Sequence, residues 1–131
     1  MTNHKVKCSN FEIANNKPFT LIAGPCQLEN ETHAIKISSE LKKITSELQI
    51  NLIYKTSFDK ANRTSLKGKR GIGLEKSLSI FDKIRKEVGV PVLTDVHTAE
   101  QCSIVSDHVD VLQIPAFLCR QTDLLISAAK T

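Results

Sequence analysis

Four times along this chain a short apolar run gives way to a stretch whose apolar residues recur every three or four positions. That alternation constrains the fold more than any other feature. Near-continuous apolar strands must be covered on both faces, and consecutive parallel strands need a helical crossover. Phe-Thr-Leu-Ile-Ala at residues 19–23 reads as the first buried strand, ended by Gly24-Pro25. Ala34, Ile37, Leu41, Ile44 and Leu48 then form one face of a helix, with Asn30 as its N-cap. A second strand spans 52–56, and Leu74, Leu78, Phe81, Ile84 and Val88 form a second stripe closed by Gly89. Residues 91–94 make a third strand, Thr98-Ala-Glu-Gln101 a capping box opening a helix, and 111–114 a fourth strand. Thr122 opens the last helix.

Four βα units in a row predict a parallel α/β sheet with right-handed crossovers. The polar residues fall at strand ends: Gly24-Pro-Cys26, Lys55-Thr-Ser57, Asp95-Val-His97 and Gln113-Ile-Pro115. A (β/α)8 TIM barrel distributes its site residues in this way, over the carboxyl ends of several strands. Residues 3–18, with Val6, Cys8, Phe11 and Ile13 among polar neighbours, suit a hairpin plugging the bottom of such a barrel. A complete barrel takes about 250 residues and eight units, whereas 131 residues supply about four. A small open doubly wound sheet is the self-contained alternative, although Gly24-Pro25-Cys26 is no glycine-rich phosphate loop. Pattern alone does not choose between them.

With 40% hydrophobic and 24% charged residues, disorder is not expected. No apolar run approaches the ~20 residues that span a bilayer, and the N-terminus lacks an apolar signal core. No membrane partner is expected, and a cytoplasmic location is. The four cysteines, Cys8, Cys26, Cys102 and Cys119, contain no Cys-x-x-Cys pair, which argues against a zinc knuckle or a disulfide framework. The net charge of +4 is local: residues 55–70 hold Lys55, Lys60, Arg63, Lys67, Lys69 and Arg70 against Asp59 alone. That segment carries +5 and the other 115 residues −1. So confined a cluster suits phosphate or carboxylate binding. With one Tyr, five Phe and no Trp, nucleic acid is not an expected partner.

Lys-Thr-Ser-Phe-Asp-Lys-Ala-Asn-Arg-Thr-Ser, residues 55–65, is the densest constellation of donors. At a strand end it can hold two anionic groups, with arginine suited to bidentate phosphate contacts; a solvated surface loop is the plainer reading. Lys55 follows three apolar strand residues and is expected to point inward. Lys67, Lys69 and Arg70 are read as solvated or steering charges. Gly71-Ile-Gly73 offers either backbone N–H groups to an anion or a plain turn. Asp95 and His97, two apart at a strand end, suit proton transfer or hydroxyl orientation; alternatively Asp95 caps the next helix and His97 is a surface residue. Cys26 reads as nucleophile, metal ligand or small buried residue, and a single thiolate cannot hold a transition metal alone. His4, His33 and His108 receive no role.

The 55–65 string, followed by Thr94-Asp-Val-His97, Gln113-Ile-Pro-Ala-Phe-Leu118 and Arg120-Gln-Thr-Asp123, closely resembles the 3-deoxy-D-manno-octulosonate 8-phosphate synthases. The likeness runs from the first strand to the last residue. The sister 3-deoxy-D-arabino-heptulosonate 7-phosphate synthases share the barrel and the Gly-Pro-Cys turn, but not Ala-Asn-Arg-Thr-Ser in this setting. The resemblance implies condensation of phosphoenolpyruvate with D-arabinose 5-phosphate: C3 attacks the aldehyde, water adds at C2 and inorganic phosphate leaves. It also implies a homotetramer serving lipopolysaccharide synthesis in the cytoplasm.

By position, Lys55, Ser57, Lys60 and Gln113 would hold phosphoenolpyruvate, with the Pro115-Ala116-Phe117 segment beside its phosphate. Asn62, Asp95 and His97 would be the catalytic group, with Asn62 and Asp95 orienting sugar hydroxyls. Arg63 and Thr64 would grip the sugar phosphate of a neighbouring subunit; Thr64 replaces a more usual Ser. Cys26 places the sequence with the metal-dependent class, where this cysteine shares a divalent metal (Zn, Fe, Mn or similar) with His, Glu and Asp ligands that would lie beyond residue 131. On this reading residues 1–131 are the N-terminal half of one barrel domain, inactive alone. A non-catalytic fragment and the seven-carbon synthase, using erythrose 4-phosphate, are the other two readings.

Overall fold

The computed structural model describes residues 3–61 and 63–131. The N-terminal stretch is the expected hairpin: β1 (Val6–Cys8) pairs antiparallel with β2 (Phe11–Ile13). Four parallel strands follow, β3 (Thr20–Ala23), β4 (Asn51–Lys55), β5 (Val92–Asp95) and β6 (Val111–Gln113), hydrogen-bonded in chain order. Between and after them run α1 (Glu31–Glu47), α2 (Leu74–Lys83), α3 (Ala99–Ser106) and α4 (Thr122–Ala129).

Residue alternation assigns the two faces of the sheet. Leu52, Tyr54 and Val92 pack with Ala34, Phe81, Cys102, Val105 and Leu124, so all four helices cover one face. On the other, Ile53 and Leu93 meet Cys8, with Phe11 and Ile13 of the hairpin packed against them. Sequential strand order with every helix on one side is singly wound. A doubly wound sheet reverses its order and carries helices on both faces, so that alternative does not describe this chain.

The local signals hold. Asn30 Oδ1 accepts from the His33 N–H at 2.8 Å, and Gln101 Oε1 accepts from the His97 and Thr98 N–H groups at the start of α3. The second stripe is one helix whose last turn, Ile84–Val88, widens to π geometry before Gly89 reverses the chain at φ 72°. Lys42 Nζ donates to the Val88 carbonyl that this ending leaves over. Gly24 ends β3 because the backbone leaves no room for a side chain: a Cβ there would lie 1.9 Å from the Lys55 carbonyl oxygen.

Two expectations are corrected. Residues 19–23 are not a buried strand: Phe19 is 64% exposed and Ile22 53%, because β3 is an edge strand and the face bearing Ile22 lies open. The buried stripe of α1 is also rotated from the apolar one. Ile44 and Leu48 are exposed, whereas Ala34, Ser38 and Thr45 are buried. The two hydroxyls go inside because each donates to a carbonyl one turn back, Ser38 to Ala34 at 2.8 Å and Thr45 to Leu41 at 2.9 Å.

Candidate active site

The carboxyl ends of β4, β5 and β6 open onto a cavity of about 340 Å³, lined by Lys55, Asp59, Lys60, Asp95, His97, Gln113 and the turn from Pro115 to Leu118. Strand alternation puts Lys55, Asp95 and Gln113 on the face away from the helices. Beyond β4 the chain stays buried through Thr56, Ser57 and Phe58. The Ser57 hydroxyl sits between the two lysines, accepting from Lys60 Nζ at 2.7 Å and lying 3.5 Å from Lys55 Nζ. One neutral oxygen therefore gathers two ammonium groups without neutralising either.

Asp95 is 8% exposed. Its Oδ2 lies 3.1 Å from His97 Nε2, and the His97 ring meets the Phe58 ring edge-on, with centroids 5.4 Å apart. Burial on its own would raise the Asp95 pKa. The hydrogen bonds of His97 and the Ser57 hydroxyl outweigh it and hold the carboxyl at about 2. Asp95 is thus an anion in the cavity wall, and among the described residues its Oδ1 has no hydrogen-bond partner. A buried carboxylate oxygen without a donor is costly unless a ligand supplies one. His97 Nδ1 is likewise buried without a partner among the described residues.

Of the sequence candidates, Lys55, Lys60, Asp95, His97, Gln113, Pro115, Ala116 and Phe117 meet around this cavity, and Ser57 braces two of them. Asp95 is not a helix cap; Thr98 occupies that position. Arg63 and Thr64 are exposed and do not line the cavity. Asn62 lies outside the described residues. Gly73 spends its N–H on the Phe58 carbonyl at 3.1 Å, so that N–H is not free for an anion.

Arg70 is corrected: it is no free steering charge, because its guanidinium binds both oxygens of Asp59 at 2.7 and 2.5 Å. The Arg70 hydrogen bond, opposed by partial burial, holds the Asp59 carboxyl below its ordinary value. Sequence reasoning counted Asp59 and assigned it nothing; its signal was to be the one acid among six cations. Phe58 and Gln27 were also missed, and neither carries a chemical signal in the sequence.

Cys26 is an exposed free thiol beside this region. Among the described residues no group of three His, Cys, Asp or Glu side chains gathers that would hold a metal ion. The described residues therefore do not by themselves compose a metal site. Among them, too, no helix is long and apolar enough to cross a membrane.

The sequence profile of the DAHP synthetase I family matches residues 3–131. Over 129 residues the chain is 62% identical to a protein of Brucella anthropi named 2-dehydro-3-deoxyphosphooctonate aldolase, and 61% identical to proteins of that name from Brucella ovis and Brucella canis. Each match takes in 98% of this chain and 47% of the relative. The chain spans about half the length of the curated relatives it matches.

Proposed function

Because this chain belongs to the DAHP synthetase I family, we propose that its cavity is part of the site of a condensing aldolase joining phosphoenolpyruvate to D-arabinose 5-phosphate. The observation that carries the reading is the convergence of Lys55, Lys60, Asp95, His97 and Gln113 on one cavity at three strand ends. On this reading Lys55 and Lys60, ordered by Ser57, bind the carboxylate and phosphate of phosphoenolpyruvate. Gln113 and the turn from Pro115 to Phe117 close the pocket over it.

Asp95 then accepts hydrogen bonds from sugar hydroxyls through the oxygen left without a donor, and His97 holds that carboxylate in place. C3 of phosphoenolpyruvate forms the new bond to the aldehyde carbon, water adds at C2, and phosphate departs as the 2-keto acid forms. Asn62, Arg63 and Thr64 belong to the sugar-phosphate end, supplied to a neighbouring subunit of a homotetramer. The strands are the first four of an eight-strand barrel, residues 1–131 being its N-terminal half, and the enzyme works in the cytoplasm. Cys26 is the one donor this sequence would give to a divalent metal; metal content of this chain joined to the remaining half of the Brucella anthropi relative, compared with the same chimera carrying Cys26→Ala, tests that assignment.

The decisive assay is phosphate release from phosphoenolpyruvate by this chain alone and by a chimera joining it to the remaining half of the Brucella anthropi relative. The chimera turns over with arabinose 5-phosphate, and the 131 residues alone do not. A preference for erythrose 4-phosphate would assign the seven-carbon reaction instead. A folded chimera inert with both sugars would overturn the aldolase reading and leave the non-catalytic one.

A further inference from the structure

Two arginines leave the same loop and are held by opposite kinds of partner. Arg70 is bidentate to a carboxylate, so its charge is cancelled where it stands. Arg63 is held by two neutral oxygens: Nε donates to the Lys69 carbonyl at 3.0 Å, and Nη2 donates to Gln27 Oε1 at 2.7 Å. A guanidinium has five N–H groups. Two are committed in this way, and among the described residues the other three N–H groups have no partner and no carboxylate offsets the charge.

The second of those partners comes from far along the chain. Gln27 lies in the turn between β3 and α1, 36 residues before Arg63. That turn is fastened to the end of β4: Gln27 and Ser57 form a parallel bridge, and the Leu28 N–H donates to the Ser57 carbonyl at 2.8 Å. Ser57 is also the residue whose hydroxyl takes Lys60 Nζ. Gln27 therefore registers the Arg63 guanidinium against the same backbone that orders the cavity lysines.

We propose that Gln27 is a positioning residue for Arg63, whose neutral amide oxygen aims the guanidinium at the phosphate monoester of a sugar phosphate without cancelling its charge. This rests on the reading of Arg63 as a phosphate ligand given above. Glutamine is suited to the task because the two plainest replacements fail in different ways. Glutamate keeps the reach and the hydrogen bond but brings a charge that competes with the phosphate. Alanine leaves the charge and removes the hold.

The test uses the chimera of this chain with the remaining half of the Brucella anthropi relative, its arginine side chains 15N-labelled, titrated with inorganic phosphate and then with D-arabinose 5-phosphate. The Arg63 Nε–H signal of the parent shifts and saturates, and backbone amides around residue 63 lose their response in Arg63→Ala. Gln27→Glu binds about tenfold more weakly, the loss expected when one charge-assisted hydrogen bond is compromised. Gln27→Ala speeds exchange of the Arg63 Nη2 protons with water in the ligand-free protein, a readout that a purely structural Gln27 would not move. Parent-like affinity and exchange in both Gln27 variants, with Arg63→Ala still defective, overturn the role of Gln27 and leave Arg63 a ligand. No phosphate response from Arg63 in the parent overturns both.

Discussion

The Arg70 guanidinium grips both oxygens of Asp59, eleven residues away, at 2.7 and 2.5 Å, while the Lys60 N–H donates to the Arg70 carbonyl at 2.7 Å. Side chain and backbone together tie the two ends of the loop that carries Arg63 and Thr64. The charge that composition counted as steering is a clasp.

Arg70→Ala opens that clasp. Amide hydrogen exchange between residues 60 and 72 accelerates, while β4 and β5 keep their protection, since Arg70 is exposed and its tie lies outside the strand ladder. The Asp59 pKa is lowered when folded. The contribution of the pair is therefore complete above the ordinary carboxylate range and fades as pH falls through the lowered value. Parent and variant loops should exchange alike in strong acid and differ at neutral pH.

Asp95→Asn removes a buried anion whose pKa is held at about 2. A depressed carboxyl stabilises the fold above its unfolded value, 3.8, and that stability is lost as pH falls toward 2. Urea titrations between pH 5 and 2 should show the parent losing on the order of 1–2 kcal/mol that the variant does not lose. At neutral pH the variant should bind phosphoenolpyruvate and fail to respond to the sugar phosphate.

Ser57→Ala separates the two tasks of one hydroxyl. Lys60 loses the acceptor at 2.7 Å, and Asp95 loses a hydrogen bond that lowers its pKa. Carbon-detected NMR of the Asp95 carboxyl should show its titration moving upward toward the ordinary range. Affinity for phosphoenolpyruvate should fall about tenfold through misplaced lysines. An unmoved Asp95 titration would remove Ser57 from the electrostatics of the site.

Gly24→Ala places a methyl 1.9 Å from the Lys55 carbonyl oxygen, so β3 and β4 must part at the end that bears the site. Destabilisation of about 3 kcal/mol or more is expected, read as a large drop in thermal midpoint or loss of cooperative unfolding. A melt within a few degrees of the parent would show that the strand ends yield easily.

Elements governed by neighbours in sequence were legible without coordinates. Asn30 caps α1, Gln101 takes the first N–H groups of α3, Gly89 ends the second helix, and the N-terminal stretch is a hairpin. Each depends on contacts a few residues apart. The candidate residues at strand ends were legible for the same reason, because alternation along β4, β5 and β6 assigns Lys55, Asp95 and Gln113 to one face. The buried stripe of α1 was not, since Ser38 and Thr45 look polar until their hydroxyls are seen bonded to the helix's own carbonyls.

By itself, then, the sequence determined the order of the elements, their caps and the address of the positive charge, all matters of local bonding and composition. Only the tertiary structure decided which sheet face the helices cover, that Arg70 is spent on Asp59 while Arg63 is held by the neutral Gln27, and that Asp95 stays ionised although buried. Those outcomes depend on groups from separate strands and loops, and a charge acquires its meaning from the partner that folding brings within hydrogen-bonding distance.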